Sequence, residues 1–91
     1  MTVQTFEDLQ IWKEARRLTQ EIYRRTRAAS FSKDFGLTNQ MQRAAISIMS
    51  NIAEVYERGA NQELCQFLYI TKGSCGELRA QLYLAFHQGY V

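Results

Sequence analysis

Gln40-Met41-Gln42-Arg43-Ala44-Ala45-Ile46-Ser47-Ile48-Met49-Ser50-Asn51-Ile52-Ala53-Glu54-Val55-Tyr56-Glu57-Arg58-Gly59 is the stretch on which the fold turns. Projected at about 100° per residue, its apolar side chains (Met41, Ala44, Ala45, Ile46, Ile48, Met49, Ile52, Ala53, Val55, Tyr56) cover an arc of roughly 200°, interrupted only by Gln42. One neighbouring helix does not cover so wide an arc. The remaining side holds Arg43, Ser47, Ser50, Asn51, Glu54, Glu57 and Arg58, a compact polar strip. The pattern predicts the central helix of a helical bundle, over about 38–58, with one face reserved for hydrogen bonding.

Towards the amino terminus, a helix is expected over about 6–28, with Thr5 as its cap and Glu7 and Asp8 in the first turn, where the unpaired N–H groups favour acids. Ile11, Ala15, Leu18 and Ile22 form its narrow apolar stripe, flanked by Trp12, Thr19 and Tyr23. On the far side Lys13, Arg17, Gln20, Arg24 and Arg27 recur at helical spacing as one basic ridge. Glu21 is placed to pair with Arg17 or Arg25, each pair contributing about 0.2–0.5 kcal/mol. Ala29 to Gly36 breaks the periodicity: Phe31 and Phe35 are expected to fold back on the bundle end, and Gly36 to permit a turn.

Towards the carboxyl terminus, Gly59 ends the central helix and Asn61 is a candidate cap for a third helix over about 61–88. Leu64, Leu68, Thr71, Cys75, Leu78, Leu82 and Ala85 form a heptad, widened by Phe67 and Phe86. Gly73 and Gly76 inside this helix suggest close packing or a solvent-facing kink. Gly89 suits the left-handed position after the helix, with Tyr90 packing back across the end. Tyr69, Ile70 and Leu84 lie away from the heptad. Together with the 200° arc they exceed what a free three-helix bundle requires, so a further surface should cover them, either another helix or neighbouring subunits.

At 91 residues, without proline and with only five glycines, the chain is expected to be one all-α domain, residues 1–91. The net charge of +2 does not by itself argue for nucleic acid. Cys65 and Cys75, about 15 Å apart along one helix, do not bridge and read as reduced core thiols, which together with the absence of a signal peptide or apolar span points to a soluble, cytoplasmic protein with no membrane partner. His87 is the only histidine and sits near a helix end. No catalytic, metal-ligating or cofactor-binding constellation is present, which argues against an enzyme and against a small-molecule substrate.

Phe6-Glu7-Asp8-Leu9, Ile11-Trp12, Phe35-Gly36-Leu37-Thr38, Arg43-Ala44-Ala45, Ser50-Asn51-Ile52-Ala53-Glu54, Phe67-Leu68, Gly73-Ser74, Glu77-Leu78, Gln81-Leu82 and Gly89-Tyr90 occur in an order that resembles the four helix bundle protein family, also called the 23S rRNA intervening-sequence protein family. The resemblance implies a left-handed up-down-up-down bundle, of which helices 1 to 3 are present here and the fourth is absent from this chain. It also implies a bacterial source, a homopentamer and no established catalytic activity. A related branch, the accessory proteins of diversity-generating retroelements, engages nucleic acid. Family members usually carry Pro at the position of Met49 and Gly at that of Val55.

The functional expectation is a non-enzymatic, homo-oligomeric bundle acting as an assembly or interaction protein. Arg43, Ser47, Ser50, Asn51 and Glu54 are its candidate interface or channel residues. The plainer reading of the same strip is that Asn51 pins helix packing while Glu54 pairs with Arg58 or with Arg43 of a neighbour. The alternative function is that of a nucleic-acid binding accessory protein, contacting RNA or DNA phosphates through Lys13, Arg17, Arg24 and Arg27.

Overall fold

Asp8 organises the first turn of the chain. In the computed structural model, which describes residues 4–58 and 64–91, its carboxylate accepts the Gln4 and Thr5 backbone N–H groups at 3.0 and 3.2 Å. Those bonds hold the Asp8 carboxyl below the ordinary carboxylate range and close a single 3-10 turn, Phe6–Asp8. Leu9 then takes an extended conformation, and helix α1 runs from Gln10 to Thr26. Thr5 therefore caps the short turn and not α1, which starts later than its sequence pattern suggests.

Thr19 and Thr26 are the two buried polar residues of α1. Their hydroxyls donate to the carbonyls of Ala15 and Ile22, at 2.8 and 2.7 Å, so burial leaves neither unsatisfied. Ala29, at φ +44°, opens a second 3-10 segment, Ala29–Lys33. Phe31 folds back as expected and is 2% exposed, but Phe35 does not: it is 77% exposed. The reason lies in Asp34. Its Oδ1 accepts the Leu37 N–H at 3.2 Å, an N-cap bond that starts α2 at Phe35. Phe35 is thus the first helical residue, directed away from the core, and Gly36 lies within the helix instead of in a turn.

Helix α2 spans Phe35–Arg58 and α3 spans Leu64–His87. The expected stop at Gly59 and cap at Asn61 fall outside the described residues. At the far end of α3 the expected cap is realised: Gly89 has φ +78°, its N–H donates to Phe86 O at 3.0 Å, and the Tyr90 N–H donates to Ala85 O at 2.9 Å. Tyr90 stacks on Phe31 with centroids 4.6 Å apart, and its hydroxyl donates to Asp34 Oδ2 at 3.1 Å. One carboxylate therefore starts α2 with one oxygen and holds the end of α3 with the other. Burial, and then the hydrogen bond to Asp34, push the Tyr90 phenol above its usual value.

The three helices run up, down and up. Thr19 of α1 reaches Ala45 O at 3.3 Å and Thr26 accepts from Gln42 Nε2 at 3.0 Å, while Ser74 of α3 donates to Ser47 at 2.9 Å. Helices α1 and α3 pack on either flank of α2 and hardly on each other. The result is a layer one helix deep, 42 × 26 × 16 Å. Met41, Ala44, Ala45 and Ile48 of α2 form its buried spine, joined by Ala15, Ile22, Leu37, Leu78 and Ala85.

On α3 the heptad is only half realised. Ser74, Leu78 and Ala85 are buried against α2, whereas Leu68, Cys75 and Leu82 are exposed, so Cys75 is not a core thiol. Two adjacent lines on this helix compete for one partner. The line through Ser74, Leu78 and Ala85 faces α2, with the Ser74 hydroxyl bonded to Ser47, and Leu68, Cys75 and Leu82 beside it are left outside. Of the side chain of Cys65 the structure describes nothing. A Cβ at Gly73 or Gly76 would meet nothing within 4 Å, so neither glycine serves close packing within the described chain.

Candidate functional site

Because the layer is open, the residues between α1 and α3 line a trough. Leu9 and Ile11 form one wall, Leu68 and Thr71 the other, and Ile52, Val55 and Tyr56 of α2 the floor, around a cavity of about 240 Å³. The lining is almost wholly apolar, and the Thr71 hydroxyl is already turned back to Phe67 O at 2.9 Å. Its only hydroxyl-bearing lining residues are Tyr56 and Thr71, and no carboxylate or histidine is among the residues that line it. The trough is shaped and lined to bury an apolar side chain or the apolar face of a helix.

Beyond the trough, α3 shows solvent an apolar surface. Leu68 is 55% exposed, Tyr69 75% and Phe86 65%, with Ile70, Tyr83 and Leu84 exposed beside them. Leu82, Tyr83 and Phe86 line a second concavity with Arg79. Cys75, free and exposed, lies on the same helix. Sequence periodicity foresaw the surplus at Tyr69, Ile70 and Leu84. It missed Leu68, Leu82 and Phe86, which the heptad had placed in the core.

The polar strip of α2 divides. Ser47 and Asn51 are half-buried: Asn51 Nδ2 donates to Ser47 O at 2.7 Å and lies 3.1 Å from Ser47 Oγ, which also accepts from Ser74 of α3. Arg43, Ser50 and Glu54 are exposed. Glu54 pairs with Arg58 at 2.9 Å, and the Arg58 guanidinium lies over the Phe67 ring of α3 at 5.5 Å. Ser47 is thus the member of the strip that bonds across to α3, Asn51 is tied back to Ser47 within α2, and Arg43 and Ser50 are exposed.

The basic ridge is also uneven. Glu21 pairs with both Arg24 and Arg25. The two guanidiniums, Arg24 foremost, hold the Glu21 carboxyl below its ordinary range, and Glu21 in turn raises Arg24. Lys13, Arg17 and Arg27 enter no ion pair among the described residues, and the Arg27 guanidinium rests on the Tyr23 ring at 5.4 Å. Arg16 lies over Trp12 in the same way. His87 is exposed and meets Phe86 edge-on at 5.8 Å. Among the described residues no group of three or more His, Cys, Asp or Glu is placed to hold a metal ion, and no helix is long and apolar enough to cross a membrane.

Compared with known proteins, residues 7–91 match the family model described as 23S rRNA-intervening sequence protein. No curated protein and no solved structure gives a match.

Proposed function

We propose that this chain, which belongs to the 23S rRNA-intervening sequence protein family, is a non-enzymatic assembly protein whose trough and outer α3 face are covered by further copies of itself. The observation that carries this reading is the exposed apolar surface of α3, continuous through Leu68 with the trough. Large contiguous apolar patches are rare on monomers and usually mark contacts. Gly73 and Gly76 support the same reading. Each weakens the helix by up to about 1 kcal/mol relative to Ala and has no neighbour among the described residues that requires it. A ring of five copies is the arrangement that the family resemblance suggests.

Light scattering coupled to size exclusion tests this directly. A species several times the 10.6 kDa chain mass is expected, and Leu68→Glu should shift it towards the monomer without loss of helical circular dichroism. A monomer at every concentration would overturn the proposal.

A second reading is favoured by Lys13, Arg17 and Arg27, which lie along one edge of α1 and form no ion pair among the described residues. Repeated around an oligomer, that edge becomes a polyanion-binding surface, and the ligand suggested is RNA or DNA. Arg24, already paired to Glu21, would contribute least.

A further inference from the structure

Phe35 is a large aromatic ring left almost fully in solvent at the first position of a well-capped helix. Among the described residues it is part neither of the core nor of the side chains packed against it. It borders a cleft of about 490 Å³ between α1 and α2, whose other lining residues are Thr26, Arg27, Ser32, Thr38, Asn39 and Gln42. The character of this cleft is opposite to that of the trough: one aromatic ring, one guanidinium, and otherwise hydroxyls and amides. Gln42 is oriented by donating its Nε2 to Thr26 Oγ1, which leaves its side-chain carbonyl oxygen as an open acceptor. Arg27 is steadied by the Tyr23 ring and has no carboxylate partner among the described residues. It also lines the adjoining concavity with Gln20, Tyr23 and Arg24, so the cleft leads directly onto the basic edge of α1. Both oxygens of nearby Asp34 are engaged, by the Leu37 N–H and the Tyr90 hydroxyl.

We infer that this cleft holds one nucleotide of a single-stranded nucleic acid, with the base stacked on Phe35 and the adjacent phosphate on Arg27. The inference rests on the nucleic-acid reading above and gives it an anchor point. A ring face accepts any base, a guanidinium fork matches a phosphate, and the Asn39 and Gln42 amides supply donors and acceptors for a base edge. From Arg27 the strand follows α1 past Arg17 to Lys13, a distance of about 21 Å along the helix axis. A duplex does not fit this arrangement, because its bases are already stacked on each other.

Fluorescence anisotropy with labelled single strands of about twelve uridines or adenosines, over a salt series, tests the assignment. Phe35 and Arg27 are both exposed, so thermal melts of Phe35→Ala and Arg27→Ala should match the parent protein. Phe35→Ala should weaken binding about tenfold at every salt concentration. Arg27→Ala should reduce the slope of log K against log salt by about 0.7, the loss of one phosphate contact. If the strands bind with a steep salt dependence and Phe35→Ala changes affinity by less than about twofold, the cleft is not the site, although the basic edge remains one. Absence of binding at about 50 mM salt overturns both. Competition by adenosine or uridine monophosphate at the same concentrations as the strand would overturn the strand and assign a free nucleotide.

Discussion

Helices α1 and α3 occupy equivalent positions on the two flanks of α2, yet their surfaces are unlike. Helix α1 buries one line, Ala15, Thr19, Ile22 and Thr26, and is otherwise mostly charged or amide-bearing. Helix α3 buries a line of similar size through Ser74, Leu78 and Ala85, and then presents Leu68, Tyr69, Ile70, Leu82, Tyr83, Leu84 and Phe86 to solvent. A helix with one partner needs one apolar line. The difference therefore says that α3 leaves far more apolar surface without a partner than α1, whose exposed aliphatic side chains are Ile11, at the trough, and Leu18.

The largest expected effect tests how much of α2 is closed off. Ile48 is buried between the flanking helices, and Ile48→Ala should cost about 2–5 kcal/mol in chemical denaturation. Ile52 forms the trough floor and is only half-buried, so Ile52→Ala should cost less in a free layer. Equal costs at the two positions would show that the trough is filled in the assembled protein, sharpening the contrast between the flanks. An intermediate effect is expected where α3 meets α2. Ser47→Ala strips the Ser74 hydroxyl of its acceptor and the Asn51 amide of one of two, and should cost about 1–3 kcal/mol in the same measurement. A negligible change would mean that water replaces Ser47 and that register is set by apolar packing alone.

The smallest effect concerns the latch at the end of α3. Folding raises the Tyr90 phenol, so the folded state favours the protonated form. Its contribution is fully present below the ordinary phenol value near pH ~10 and is lost as pH rises through the raised, folded value. Melting temperature should therefore fall at high pH, and Tyr90→Phe should flatten that fall because no phenol remains to ionise. An unchanged alkaline profile in Tyr90→Phe would detach the Asp34 contact from the stability of α3.

Much of this was legible in the chain. Three helices followed from the periodicity around Ile48, and the end of α3 followed from Gly89 and Tyr90, because left-handed glycine caps are local. The short turn before α1 and the early start of α2 were harder to read. Asp8 and Asp34 act through side-chain bonds to backbone N–H groups, and several acids and hydroxyls nearby competed for those roles. The candidate surfaces were less legible still. Exposure of Leu68 and Phe86, and the cleft between Phe35 and Gln42, depend on which helix lies beside which.

Helix number, the breadth of the central apolar arc and the surplus on α3 were settled by sequence, since each depends on residue type at fixed helical spacing. Which of two adjacent lines on α3 would face α2 was decided only in the tertiary structure. Residue type alone disfavours burying Ser74, and only the bond its hydroxyl makes to Ser47 across the helix contact, beside buried Leu78 and Ala85, accounts for that line facing inward.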